Sequence, residues 1–332
     1  MKSCRCQFSF LDTKHEGGIN MFKLHKYESN KNLQGSTKGR HNVARIAGVT
    51  FALVGLLATV SLPSYAAPKA VKKPALFYKL PLSFQKSGVI RNGADFTYAP
   101  LEYTKKDGVT FTGVDYDLAQ AIGKKLGVKI KYSNSDFGTL IPMLQSKRVD
   151  IVLSFATVTL ARQETVDFIQ YSQSGTGILV AKGNPANIRS LDDLCGKNVG
   201  LQSGAVQVPI AAEQSVKCVA AGKEAVNVQE MGTDAEVRIL LRSGRIDADL
   251  LDAPVAAYAV TSAPADYQIV PGANYAARPH GIMLLKGNTK LLKVIQTAVQ
   301  QIMDDGSYKK ILAKYNVPNL GLKVAKINGA TS

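Results

Sequence analysis

Two stretches of this chain carry side chains that could grip a small charged molecule. The first runs from Leu144 to Arg162, where the apolar residues Ile151–Phe155 are followed by the hydroxyls of Thr157 and Thr159 and a solitary cation, Arg162. The second, 97 residues later, repeats the pattern from Leu241 to Asp252 and ends on an anion. Each reads as a helix end, a short buried strand and a polar exit. Residues leaving the carboxyl edge of an open α/β sheet are where such sheets bind ligands. A guanidinium is a planar fork that can hold a carboxylate at two points, and a buried carboxylate needs a cationic or donor partner. A free amino acid offers the complement of both. The run Asp247, Asp249, Asp252 raises a metal as an alternative. Alternation along a strand, however, sends Asp247 and Asp249 to one face and Asp252 to the other, with no histidine or oxygen-rich loop nearby. Neither a metal nor a cofactor is expected.

The elements that must position these residues follow a βαβα order with short turns, which argues for mostly parallel sheets covered by helices. Leu118, Ile122 and Leu126 recur at helical spacing, with Asp115 as the expected cap, Lys124 and Lys125 at the carboxyl end and Gly127 as the stop. A strand over 128–132 and a helix from Thr139, with Pro142 in its first turn, come next. Ser190 to Asp193 and Thr233 to Glu236 fit helix-start signatures. Residues 198–202 and 249–251 read as buried strands, and Pro254 suits the first turn of a helix ending near Ser262. Two near-identical runs, Gly177–Asn184 and Gly281–Asn288, flank this second region. Leu291, Ile295, Ala298 and Ile302 form one face of a last amphipathic helix.

Residues 1–66 stand apart from this grammar. The apolar run 46–60 follows Arg40 and Arg45 and precedes Ser64-Tyr65-Ala66, the layout of a secretory signal peptide cleaved after Ala66. It is short for a membrane span, which needs about 20 apolar residues. Met21 offers a second start. The leader holds nine of the 41 Lys/Arg and three of the 25 Asp/Glu, so the remaining 266 residues keep a net charge of about +10. Those positive residues are scattered, without the aromatic-interleaved stripe of a nucleic-acid site. Cys4 and Cys6 go with the leader. Cys195 and Cys218 remain, an even count in an exported protein, and are expected to form a disulfide.

These stretches, with Gly93–Tyr103, Gly113–Ile122, Val199–Gly204 and Asp304–Leu312, resemble the amino-acid-binding periplasmic proteins of family 3 that feed ABC importers. The likeness covers residues 79–322, with the motifs in order. It implies a two-lobed, type II-like α/β fold with two hinge crossovers. Residues 67–180 and 279–332 would form one lobe and 181–278 the other, crossing near 181 and near 279. It also implies a ligand-binding set: Asp95, Tyr98, Phe137, Ser154, Phe155, Thr157, Arg162, Gln202, Gly204, Gln207 and Asp252. Arg162 would take the ligand carboxylate, Asp252 its ammonium, and Tyr98 and Phe137 would sandwich its side chain. The loop holding Gln202, Gly204 and Gln207 leads into a helix whose amides favour a carboxylate. Where relatives have two threonines this chain has Ala205 and Val206, and Leu101 replaces a common phenylalanine, which would widen the pocket.

The resemblance implies a monomer in the periplasm that binds an amino acid and docks on an inner-membrane permease complex, without enzymatic activity and without nucleic acid as a partner. Two rivals share the scaffold: a cyclohexadienyl dehydratase-like enzyme and a periplasmic sensor. The Ser83-Phe84-Gln85-Lys86 run matches a serine–lysine pattern, but its companions are missing. His280 is read as a structural residue beside a crossover. Amino-terminal sequencing of periplasmic protein is expected to start at Ala67; residues before Pro63 in that fraction would contradict the cleavage site.

Overall fold

Apolar runs bounded by glycine, and apolar residues four apart, become strand and helix in turn along the chain. The computed structural model describes residues 72–330; the apolar run 46–60, Cys4, Cys6 and the expected cleavage site lie outside the described residues. A 3-10 turn at Ala75–Lys79 and α1 (Leu82–Ser87) lead into β1 (Val89–Ala94). A small antiparallel sheet follows, made of β2 (Thr97–Tyr98), β3 (Glu102–Thr104) and β4 (Phe111–Thr112). Then come α2 (Val114–Leu126), β5 (Lys129–Asn134), α3 (Leu140–Gln145), β6 (Ile151–Thr157), α4 (Leu160–Gln163) and the long β7 (Val166–Ala181).

A second half is built from β8 (Asn198–Gln202), α5 (Gln207–Ala220), β9 (Asn227–Met231), α6 (Asp234–Arg242), β10 (Ala248–Asp252), α7 (Ala253–Ser262) and β11 (Tyr267–Ile269). The chain returns through β12 (Tyr275–Leu285) and closes with α8 (Thr289–Asp304) and α9 (Ser307–Lys314). The last amphipathic face is as read: Leu291, Ile295, Ala298 and Ile302 are buried, and α8 packs on α2 and β7.

Strand order in the large sheet is β5-β1-β6-β12-β7-β10-β8-β9, with β11 beside β7. On one side β5, β1 and β6 are parallel, and on the other β10, β8 and β9 are parallel. Between them β7 and β12 run antiparallel and join the two halves. β7 pairs with β12 over most of its length and then takes β10 as partner from Thr176 to Leu179. The two near-identical runs are the ends of these strands, each closed by a turn at Gly183 or Gly287. At Gly175 the strands cross so closely that a Cβ would stand 2.3 Å from Asn274 Oδ1 and 2.8 Å from the Tyr275 carbonyl. Only glycine fits there.

Local expectations fare unevenly. Thr233 and Glu236 form a reciprocal capping box on α6, and Gly127 ends α2 in the left-handed conformation with Lys124 and Lys125 in its last turn. Asp115 does not cap α2: Gly113 occupies that position, and the Asp115 carboxylate turns inward to other partners. Ser190 and Asp193 form their capping box on a single 3-10 turn, Leu191–Leu194, rather than on a helix. Leu101 lies fully buried in the core and does not face the pocket, so it does not widen it.

Cys195 and Cys218 are bonded, tying that turn to α5 across 23 residues. A loop of this length contributes about 3 kcal/mol in the chain-entropy account. Replacing both cysteines by alanine is expected to lower Tm by roughly 6–12 °C. Unreduced protein should label with no alkylating reagent at these positions; two labelled thiols would sink the assignment.

Candidate functional site

The carboxyl edges of β1, β6, β8 and β10 converge on one small cavity. Its lining brings together Asp95, Tyr98, Phe137, Ser154, Phe155, Thr157 and Arg162 from the first half with Gln202, Gln207 and Asp252 from the second. Ala205 and Val206 also line it, presenting apolar surface where hydroxyls were noted as missing, and so does Glu102. Gly204 is not part of the wall. It lies beside the cavity with φ +76°, where a Cβ would come within 2.9 Å of Gly138 Cα in the facing half. The carboxylates of the second half go to different places. Asp247 accepts the Asn198 N–H at 2.8 Å, Asp249 is buried under α6, and only Asp252 reaches the cavity. Among the described residues no group of three or more such ligands could hold a metal ion. Ser83 and Lys86 sit on the exposed surface of α1.

Arg162 occupies a one-turn helix whose cap, Thr159, accepts the Arg162 N–H. Its guanidinium donates to the Thr157 carbonyl at 2.8 Å and, across the cleft, to the Gly204 carbonyl at 2.9 Å. The Phe137 ring lies 5.2 Å from it. Asp252 stands where β10 runs into α7, with Pro254 in the first turn. Tyr98, read from the resemblance as a wall for the ligand side chain, lines the cavity and also binds this aspartate. Its hydroxyl donates to Asp252 Oδ2 at 2.7 Å and accepts the Asp252 N–H at 3.0 Å. Asp95 makes a turn by accepting from the Thr97 N–H and hydroxyl, while its other oxygen accepts from Gln202 Nε2 at 2.6 Å. Gln207 is buried and donates to Thr176 Oγ1. The chemistry is that of a clamp: one cation and one anion from opposite halves, with aromatic and amide walls between them.

A family profile described as bacterial extracellular solute-binding proteins, family 3, matches residues 90–318. The chain belongs to this family. Among its relatives, the L-cystine-binding protein TcyJ of Escherichia coli K12 is 31% identical over 265 residues, covering 80% of this chain and 94% of that protein. The lysine/arginine/ornithine-binding periplasmic protein of the same organism is 31% identical over 233 residues, 68% of this chain and 86% of its own. Of solved structures, an ancestral arginine-binding protein bound to arginine superposes with a TM-score of 0.64 at 37% identity. That match covers 69% of this chain and 98% of the other. An ancestral amino-acid-binding protein described as a precursor of cyclohexadienyl dehydratase gives 0.63 at 33%, over 70% and 97%.

Behind the pocket of this solute-binding protein lies a layer that sequence reading missed. Ser154 accepts the Asp95 N–H at 3.0 Å and donates to Glu102 Oε1 at 2.8 Å. The other Glu102 oxygen meets Asp115 with no donor from any third group. Burial, and then the Asp115 charge, push the Glu102 carboxyl well above the carboxylate range. Burial also raises Asp115, to about 6, against the donated bonds of Tyr171 and of the Phe155 N–H. Of the pair, Glu102 is held the more strongly toward its protonated form, and Asp115 ionises first. The Asp115 carboxylate holds the Phe155 backbone at φ 38°, a left-handed conformation that bulky residues seldom adopt. Asp95 is raised to about 6 by burial, with its bonds to Thr97 and Gln202 opposing. Lost hydration draws the half-buried Arg162 down to about 10, and Asp252 opposes that.

Carboxyls raised in this way keep protons in the folded chain that the unfolded chain has released. Stability is therefore full below the ordinary carboxylate range and falls as pH rises, through about 6 for Asp95 and Asp115, with the raised Glu102 acting in the same direction. Glu102→Gln keeps an acceptor for Ser154 and a permanent donor for Asp115. Thermal unfolding across this range should show a smaller fall of Tm with rising pH in Glu102→Gln than in the parent. Identical slopes would place the proton elsewhere.

Proposed function

We propose that this family 3 protein captures an L-amino acid, or a close derivative, between its two halves for an ABC importer. The observation that carries this reading is the pairing of Arg162 from the first half with Asp252 from the second, across one small cavity. Arg162 takes the carboxylate and Asp252 the ammonium. Because both halves contact the ligand, binding favours the closed arrangement. The lobes, residues 67–180 with 279–332 and residues 181–278, close about β7 and β12. The closed monomer, freed of its leader in the periplasm, docks on an inner-membrane permease complex.

The lining also bears on the ligand side chain. Of the three carboxyl groups in the lining, burial holds Glu102 toward its protonated form, which leaves Asp95 and Asp252 against one cation, Arg162. That is one negative charge more than the backbone groups of an amino acid require. An amine- or guanidine-bearing side chain matches it, in keeping with relatives named for arginine, lysine or ornithine binding. A thermal-shift screen should rank L-arginine and L-lysine above L-glutamate, and the reverse order would overturn this assignment. The proton held on Glu102 in the cavity gives an acid to the dehydratase reading, so turnover of prephenate or arogenate by purified protein would favour that instead.

Removing either charge of the clamp leaves a ligand charge buried without its partner, a loss of about 2–5 kcal/mol. Arg162→Ala and Asp252→Ala are each expected to weaken binding roughly 30-fold to several thousand-fold by calorimetry. Arg162→Lys should recover only part, because an ammonium lacks the planar fork. If both alanine variants bind within about threefold of the parent, the amino-acid reading of the clamp fails.

A further inference from the structure

His280 is the single histidine in residues 67–332, since His15, His25 and His41 all precede Ala67. It stands on β12, in register with Thr157 of β6 and Ser172 of β7, and is 1% exposed. Its ring lies on that of Phe155, with centroids 3.9 Å apart and planes 20° from parallel. Nε2 is 3.2 Å from Thr157 Oγ1 and 3.4 Å from Asp252 Oδ1, and Nδ1 has no hydrogen-bond partner. The tautomer follows from charge. A bare Nε2 lone pair facing the Asp252 carboxylate would be repelled, so the neutral ring carries its hydrogen on Nε2 and points it at Asp252 and Thr157.

Oδ2 of Asp252 thus accepts from Tyr98 of the first half, while Oδ1 has His280 Nε2 of the returning strand 3.4 Å away. The charged and titratable groups around the ring are Asp252 from β10, Tyr98 from β2 bound to that same carboxylate, Arg162 from α4 acting on Asp252, and Tyr171 from β7 behind Phe155. Strand β6 contributes only Thr157 and Phe155.

We propose that His280 is a positioning residue that makes amino-acid capture depend on pH. This rests on the reading of Asp252 as partner of the ligand ammonium. Neutral His280 orients the carboxylate with one N–H and leaves its negative charge for the ligand. A proton added at Nδ1 turns the ring into a cation beside Asp252, and the two charges then satisfy each other. The incoming ammonium meets a neutral pair, so protonation and capture oppose each other. Imidazole is the side chain that ordinarily changes charge near neutrality, and here one such ring touches the clamp.

The test is calorimetry on the exported protein with the tightest binder among L-arginine, L-lysine, L-glutamine and L-cystine. Between about pH 7.5 and about pH 5.5 the parent should lose roughly tenfold more affinity than His280→Gln, which keeps an N–H donor but takes no proton. At about pH 7.5 His280→Gln, which keeps a donor, should bind more tightly than His280→Phe, which keeps the stack and loses the donor. Titration of Asp95 acts on parent and variant alike and cancels in the comparison. The single imidazole also gives an NMR readout in unaltered protein: its titration midpoint should fall when the amino acid saturates the site. An unchanged midpoint, or parental pH dependence in His280→Gln, overturns the inference and leaves the clamp standing. Undiminished binding by Asp252→Ala, or no binding by any of the four amino acids, overturns both.

Discussion

Charge withdrawn from water must be matched, and the meeting of the two halves is organised by that constraint. Apolar packing is continuous through residues of both halves, so the polar groups at the boundary must find partners within it. Arg162 reaches the Gly204 carbonyl, Gln202 reaches Asp95, and the Tyr98 hydroxyl reaches Asp252, each bond passing from one half to the other. An unpaired buried ion costs far more than a paired one contributes. In the arrangement seen here all of these partners are found together. Gly138 and Gly204 face each other across the boundary so closely that a Cβ on Gly204 would stand 2.9 Å from Gly138 Cα.

The wall of the pocket depends in turn on a second set of charges. The Asp115 carboxylate accepts from the Phe155 N–H and from the Tyr171 hydroxyl, and its charge acts on the buried Glu102. It thereby joins α2, β3, β6 and β7 around a single buried anion. Phe155 is held in an uncommon backbone conformation by that anion, and its ring carries His280 on one face. Strain of this kind persists only where the surroundings over-determine it. The position of Thr157, two residues on, is inherited from it.

Periodic features of the fold were legible because they are local. Apolar spacing gave α2 and α8, an alternating run gave β5, a continuous apolar run gave β6, and turn chemistry gave the start of α6. Ten of the eleven candidate site residues line one cavity, because strand ends in this topology converge whatever side chains they carry. What escaped was decided at long range. Asp115 has the sequence signature of a cap, yet its carboxylate is claimed by Phe155 and Tyr171, 40 and 56 residues away. Glu102 sits in an alternating strand with nothing beside it to mark burial, and its proton depends on a neighbour 13 positions off. His280 has its partners on β6 and β10, a proximity that only the sheet order creates. Leu101 was misplaced for the same reason, its direction being set by the small sheet rather than by its neighbours in sequence.

The crossing at Gly175 has a mechanical meaning. β7 and β12 are laced to each other by an antiparallel ladder on both sides of that point, so they behave as one ribbon two strands wide. Such a ribbon resists sliding and splaying, which would break its rungs, but it can bend and twist. Any relative movement of the halves must be a flexure of this strip. The proposed closure on a ligand then reduces to one mechanical coordinate, the bending of a single ribbon.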